Sequence, residues 1–256
     1  MTRMSSSLIA VLLLSSLSFV TTLIGVLLAL LIRKNERVIA FGIGFSAGIM
    51  ILVSALELIP EAYGAMHMVG TAVAVALGML FLWGVHFIIP HIHLAPEHGL
   101  TDSRLVKSVY LVVFGLILHD VPEGFAMANS YIASPSLGVF VALAIALHNL
   151  PEEFAMAVPA MTFRSKRFLI GAALLSALAE PAGAILGLLA VGVYPSLNAS
   201  FMGFAAGAMI FVSMHELVPM ARRYGRLGWF AAGFVFSVGV HQVLAAVTLA
   251  GGFRLV

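Results

Sequence analysis

The sequence predicts an all-α integral membrane protein of eight transmembrane helices, and three observations carry that prediction. Hydrophobic side chains make up 62% of the 256 residues and charged ones only 9%, against about 25% charged in a soluble globular chain. Mean hydropathy is +1.11, and apolar runs recur along the whole length, each near the roughly 20 residues that a bilayer-spanning helix needs. Eleven of the thirteen Lys and Arg residues fall between alternate runs, which would put them all on one side of a membrane. Such a composition excludes a soluble enzyme, a nucleic-acid binder and a disordered chain; the expected surroundings are a lipid bilayer. The pI near 9.2 reflects loop charges rather than a basic docking face. There is no cysteine, hence no disulfide and no thiolate metal site.

Taken in order, the first run covers 7–32. It follows Arg3 and resembles a signal peptide, but it is too long for a signal's apolar region and counts as a span. Runs at 38–62, 69–90, 105–130, 136–161, 168–193, 198–221 and 228–250 complete the eight, within a single transmembrane domain over 1–256. The runs are continuous, with no period-two alternation, which argues against a β-barrel. Basic residues mark loop one (Arg33, Lys34, Arg37), loop three (Arg104, Lys107), loop five (Arg164, Lys166, Arg167) and loop seven (Arg222, Arg223, Arg226). Loops two, four and six hold none, and each terminus holds one, Arg3 and Arg254. The positive-inside rule therefore places the odd loops in the cytoplasm and both termini outside the cytoplasmic (inner) membrane.

Internal repeats follow from the same partition. GFSAGIMILVSALELIPEA at 44–62 aligns without gaps to GFAAGAMIFVSMHELVPMA at 203–221, with 12 of 19 positions identical. LHDVPEGFAMA at 118–128 matches LHNLPEEFAMA at 147–157 at eight of 11 positions. Span three (76–89) weakly echoes span eight (231–244). Each matched pair would cross the membrane in opposite directions, so spans one to three oppose six to eight, with four and five as a central pair. That is an inverted-topology repeat, an architecture common in secondary transporters with a midplane substrate site. Small-residue helices resemble one another by composition, which covers the Gly and Ala matches. It does not cover matched His, Glu and Pro.

Spans four, five and six carry Asp120, Glu123, Glu152, Glu153 and Glu180 near mid-depth. Each ionised side chain there costs about 2.5–3.5 kcal/mol, on the order of 15 kcal/mol for the five. Every Lys and Arg lies at a loop or a terminus, so protonation, water or a bound cation must neutralise the acids. His119 and Glu123 are four residues apart, as are His148 and Glu152, so each pair shares a helix face. Two antiparallel helices would present two imidazoles and two carboxylates, a set suited to Zn²⁺ and its neighbours. Asp120 and Asn149 point about 100° away from those faces. They could form a second oxygen-rich site bridged by Glu123 and Glu152 and closed by Glu180. Pro122 and Pro151 free the carbonyls of Leu118 and Leu147, which is tolerated at membrane depth only beside protein or a water-lined cavity. The competing interpretation makes the imidazoles interhelical donors and the acids permanently protonated.

These residues resemble the ZIP (Zrt-, Irt-like protein) family of divalent metal transporters, prokaryotic branch. H-D-V-P-E-G at 119–124 is similar to the family's span-four motif, and H-N-L-P-E-E at 148–153 to its span-five motif. A-E-P-A-G at 179–183 resembles the span-six element and H-E-L-V-P at 215–219 the span-seven element. The resemblance covers all eight spans. It implies a binuclear site in the transport path, with His119, Glu123, His148 and Glu152 in one half. Asp120, Asn149 and Glu180 would join the bridging acids in the other. It also implies uptake of Zn²⁺, with Fe²⁺, Mn²⁺, Co²⁺ or Cd²⁺ as further cargo, toward the cytosol, and a homodimer. No resident cofactor is expected, since the metal is the transported substrate. Two residues depart from the pattern: Asp120 stands where Asn is usual, adding charge to the second site, and Glu153 replaces a Gly.

The long repeat sets Glu57, near the outer end of span two, against His215 and Glu216, near the inner end of span seven. An anionic residue at each mouth would concentrate cations; alternatively these are interfacial acids near water. In the loop HIHLAPEHG, His91, His93 and His98 either receive exiting metal or are inert. His86 and His241, related by the repeat at G-V-H, read as packing donors, and His67 and Glu61 as solvent-facing. An intramembrane di-metal hydrolase would also use bridging carboxylates. However, zincin H-E-x-x-H is absent, His215 and Glu216 being followed by Leu217, Val218 and Pro219. A passive channel is separated from a carrier only by saturation and counterflow, and alternating access about a fixed midplane site is the expected mechanism.

Overall fold

The computed structural model describes residues 2–31, 35–88, 119–160 and 166–250. All regular structure among them is helical, with no strand. In order these are α1 (Thr2–Leu31), α2 (Glu36–Val53), α3 (Ile59–Ile88), α4 (residues 119–133), α5 (Pro135–Ala160) and α6 (Lys166–Val193). Then come α7 (Asn198–Val212), α8 (Val218–Arg223) and α9 (Leu227–Ala250). Among the described residues six stretches are long and apolar enough to cross a membrane, one of them Glu36–Val85. At 1.5 Å per residue those 50 residues would run ~75 Å, far beyond a ~30 Å hydrocarbon core. The run is broken at His67, whose backbone (φ 62, ψ -179) is not helical. His67 and Glu61 were both expected at solvent; His67 is exposed and Glu61 half-buried.

Local chemistry sets the helix ends. Asn35 caps α2, its side-chain oxygen accepting from the backbone N–H groups of Arg37 and Val38. Gly225, in the left-handed region (φ 63), closes α8 after Arg222 and Arg223, whose charges complement the carbonyl end of a helix. One π-helical turn, Ser54–Leu58, joins α2 to α3, and another, Ser213–Leu217, joins α7 to α8. Each lies two residues ahead of a proline, Pro60 or Pro219. A proline ring crowds the carbonyl four residues back and donates no hydrogen bond to it; the widened turn bonds residue i to i−5 instead, Ile59 to Ser54 and Val218 to Ser213.

The bundle exposes an apolar surface and buries, beside an apolar core, a set of polar side chains. On α1, Val11, Ser15, Ser18, Thr22, Val26 and Ala29 form a buried stripe at helical spacing, while Leu13, Leu17, Val20, Leu27 and Leu31 are exposed. An exposed apolar face suits a lipid surround. Extensive interfaces join α3 to α7, α2 to α9 and α1 to α5, and smaller ones α2 to α5 and α1 to α6. α4 meets α6 where Gly124 and Gly183 let the two backbones close up. Arg226 lies 3.6 Å from Glu36, so loops one and seven share an end. At the other end Asn198 donates to the Asn129 carbonyl and Ser200 to the Met66 sulfur, gathering loops two and six with the end of α4.

Candidate metal centre

The two H-x-x-P-E segments lie on α4 and α5, and α6 closes over them. His119, Asp120, Glu123, His148, Asn149, Glu152, Glu153 and Glu180 are all at most 2% exposed. The pairs bond crosswise between helices rather than along them. His119 Nε2 is 3.0 Å from Glu152 Oε1, and His148 Nε2 is 3.0 Å from Glu123 Oε1. The pair within α5, His148 and Glu152, is 3.9 Å apart, and His119 Nε2 lies 3.3 Å from Asp120 Oδ1.

The chemistry is clearest at His148. Its Nδ1 lies 2.9 Å from the Ala144 carbonyl, which can only accept, so Nδ1 carries the proton. A neutral ring then keeps its lone pair at Nε2, the arrangement that a backbone partner gives to a metal-ligating histidine. That lone pair faces Glu123 Oε1, while Glu123 Oε2 has no hydrogen-bond partner. Two electron-pair donors at 3.0 Å repel unless a proton or a metal ion lies with them.

The remaining residues form an oxygen-rich flank. The Asn149 amide donates to Glu180 Oε2 at 3.1 Å, and Glu180 Oε1 has no partner. The Ser176 hydroxyl lies 2.5 Å from Asp120 Oδ2 and 2.9 Å from Glu153 Oε1. One hydroxyl has one proton, so the two carboxylates contend for it. Ser176 was not singled out from the sequence, although it stands one turn before Glu180 on α6. Glu153 faces this polar interior rather than lipid. From outside the group, Ser46 of α2 donates to the His148 carbonyl at 2.8 Å.

Not every candidate joins the cluster. Glu57 Oε1 lies 3.2 Å from His241 Nε2, so His241 is more than a packing residue. His215 is exposed and stacks on Phe211, with centroids 4.8 Å apart, and Glu216 is half-buried. His91, His93 and His98, like Leu118, lie outside the described residues, as does the side chain of His86. Among the described residues no three His, Asp or Glu side chains are already placed to hold one ion; the central donors are engaged with one another.

Residues 91–255 match the family model described as ZIP Zinc transporter. The zinc transporter ZupT of Chlorobium limicola is 35% identical over 257 residues, covering 91% of this chain and 96% of that protein. The ZupT of Escherichia fergusonii is 37% identical over 222 residues, covering 82% and 86%. That of Chlorobium luteolum is 33% identical over 252 residues, covering 90% and 95%.

Proposed function

Because this chain belongs to the family of ZIP zinc transporters, a family of transporters and not of enzymes, we propose that it carries divalent transition-metal ions, Zn²⁺ first, across the cytoplasmic membrane into the cytosol. The ion passes through a midplane binuclear site. His119, Glu123, His148 and Glu152 hold one metal; Asp120, Asn149 and Glu180, with the bridging acids, hold the second. Fe²⁺, Mn²⁺, Co²⁺ and Cd²⁺ are further cargo. One observation carries this reading: His148 is fixed by the Ala144 carbonyl with its other ring nitrogen, Nε2, against Glu123 at 3.0 Å. Opening the two crosswise contacts frees imidazole and carboxylate donors together.

The chain crosses the bilayer eight times with both termini outside and works as a homodimer. The break at His67 supports two crossings within Glu36–Val85. The packing of α2 on α9 and of α7 on α3 supports the inverted repeat. Those two interfaces differ by one helical turn. Gly44 meets the Phe230 carbonyl, whereas across the repeat it is Gly207, one turn past Gly203, that meets the Val75 carbonyl. Unequal packing of equivalent helices is what alternating access by exchange of two arrangements requires. Glu57 draws ions to the outer mouth; His215 and Glu216, with His91 and His93, receive them on the inner side.

Flux of Zn²⁺, Mn²⁺, Fe²⁺ and Cd²⁺ into proteoliposomes tests the proposal. Transport should saturate, show counterflow, and be lost in H119A/H148A and in E123A/E152A. Undiminished flux in both double variants would remove the central site from the path, and flux without saturation or counterflow would make the protein a channel.

A further inference from the structure

Outside the central cluster, one buried imidazole meets a carboxylate without a hydrogen bond. His241 of α9 is 3% exposed, and neither ring nitrogen makes a hydrogen bond. Its Nε2 nevertheless lies 3.2 Å from Glu57 Oε1, out of alignment for a hydrogen bond. The ring is held edge to face by Phe140 of α5, with centroids 5.1 Å apart. Ser54, at the start of the π turn that carries Glu57, is fully buried, and its hydroxyl also has no partner. Its repeat counterpart Ser213 is satisfied, donating to the Met209 carbonyl at 2.9 Å. The unmet polar atoms therefore belong to the Glu57 turn and not to that turn type in general.

We propose that Glu57 and His241 form an auxiliary binding site for a divalent transition-metal ion between spans two and eight. Nitrogen and oxygen donors each about 2.1 Å from a tetrahedral ion are about 3.4 Å apart, close to the 3.2 Å between Nε2 and Oε1. A hydrogen bond would need alignment that this pair lacks; joint coordination of an ion needs only that both lone pairs converge. Two side-chain donors leave positions for water, so the ion binds loosely and can leave, as a transit site requires. Phe140 and His148 lie on one face of α5, eight residues apart, which is about 12 Å along the helix. Phe140 is on the side of the turn at Ser134, so the auxiliary site precedes the central one for an ion arriving from that end. That placement on the route rests on the transport reading above; binding of the ion does not.

The test counts Zn²⁺ bound to the purified full-length chain in detergent, by competition with a chromophoric chelator. E57Q and H241Q keep side-chain size and hydrogen-bonding capacity. Each should lose one equivalent, or weaken it at least about tenfold. H119A/H148A should keep that equivalent, and adding H241Q to it should abolish it. A pair that merely fastens α2 to α9 would lower the melting temperature and leave the count unchanged in E57Q and H241Q, and that result overturns the proposal. So does a parent protein with no equivalent surviving in H119A/H148A. Flux separates the two ideas: retained binding here with normal transport in the central-site double variants would sink the transport path but not this site.

Discussion

Gly124 packs so tightly on Glu180 that a Cβ added to it would lie 1.9 Å from the Glu180 carbonyl oxygen. The glycine sits one residue after Glu123, and the carbonyl belongs to a proposed ligand on α6. Backbone, unlike a flexible side chain, cannot swing aside, so a methyl group here must push α6 away from α4. Overpacking of this kind costs about 1–3 kcal/mol. Gly124→Ala should therefore lower the melting temperature by several degrees, at about 2–4 °C per kcal/mol, and weaken metal binding with no ligand removed. Melting and chelator competition on the purified variant check this; an unchanged protein would mean the two backbones stand further apart.

Glu153 and Asp120 contend for the single proton of Ser176. Without metal the two carboxylates crowd one another in a buried setting where His119, 3.3 Å from Asp120, is the nearby base; with metal, the extra carboxylate favours harder, oxygen-loving ions. Glu153→Gln, which removes the charge and keeps the volume, should thus stabilise the metal-free protein, seen as a melting temperature raised by about 2–4 °C for each kcal/mol gained. The same change should shift uptake from Mn²⁺ toward Zn²⁺. A variant with lower stability and an unaltered Mn²⁺ to Zn²⁺ ratio would make Glu153 a structural residue.

Much of this arrangement was legible in the chain because hydropathy and charge report the solvent directly. The helical runs and the buried acids follow from the cost of polar groups in lipid. The i,i+4 spacing put His148 and Glu152 on one face, but it could not reveal that His119 bonds to Glu152 and His148 to Glu123. Those contacts depend on the lateral register of α4 and α5, which no one-helix pattern encodes. Likewise His241 read as a packing residue because its partner Glu57 is 184 positions away and is aimed by a π turn. The proline after each π turn was visible; the widening it causes was not.

Tyr224 gives a stability test at alkaline pH. Its burial, and then the nearby charge of Glu36, raise the hydroxyl above its usual pKa of 10.0. The folded protein therefore keeps this proton where the unfolded chain would lose it. The contribution is fully present below the unfolded value and is lost as pH climbs through the raised one. Melting temperatures measured from neutral pH to above pH ~10 should fall less steeply at the alkaline end for Tyr224→Phe than for the parent. Parallel curves would place the tyrosine in solvent.

Acid should act on the metal centre in the opposite range, through competition. A metal ion binds the deprotonated carboxylate and the neutral imidazole, so every proton held by His119, Glu123, His148 or Glu152 must leave before or with its arrival. Affinity for Zn²⁺ then falls as pH falls, and the slope of log affinity against pH counts the protons displaced. Crosswise bonding makes that count cooperative: freeing Glu123 also frees His148, and freeing Glu152 also frees His119. The parent should show a slope near two, one proton for each imidazole–carboxylate pair. H148A, with one imidazole left, should be both weaker and flatter, with a slope near one. Titrating Zn²⁺ into the two proteins at several pH values, with a chelator as reference, measures both slopes. A pH-independent affinity in the parent would mean that these donors hold no protons to displace and that the ion binds elsewhere.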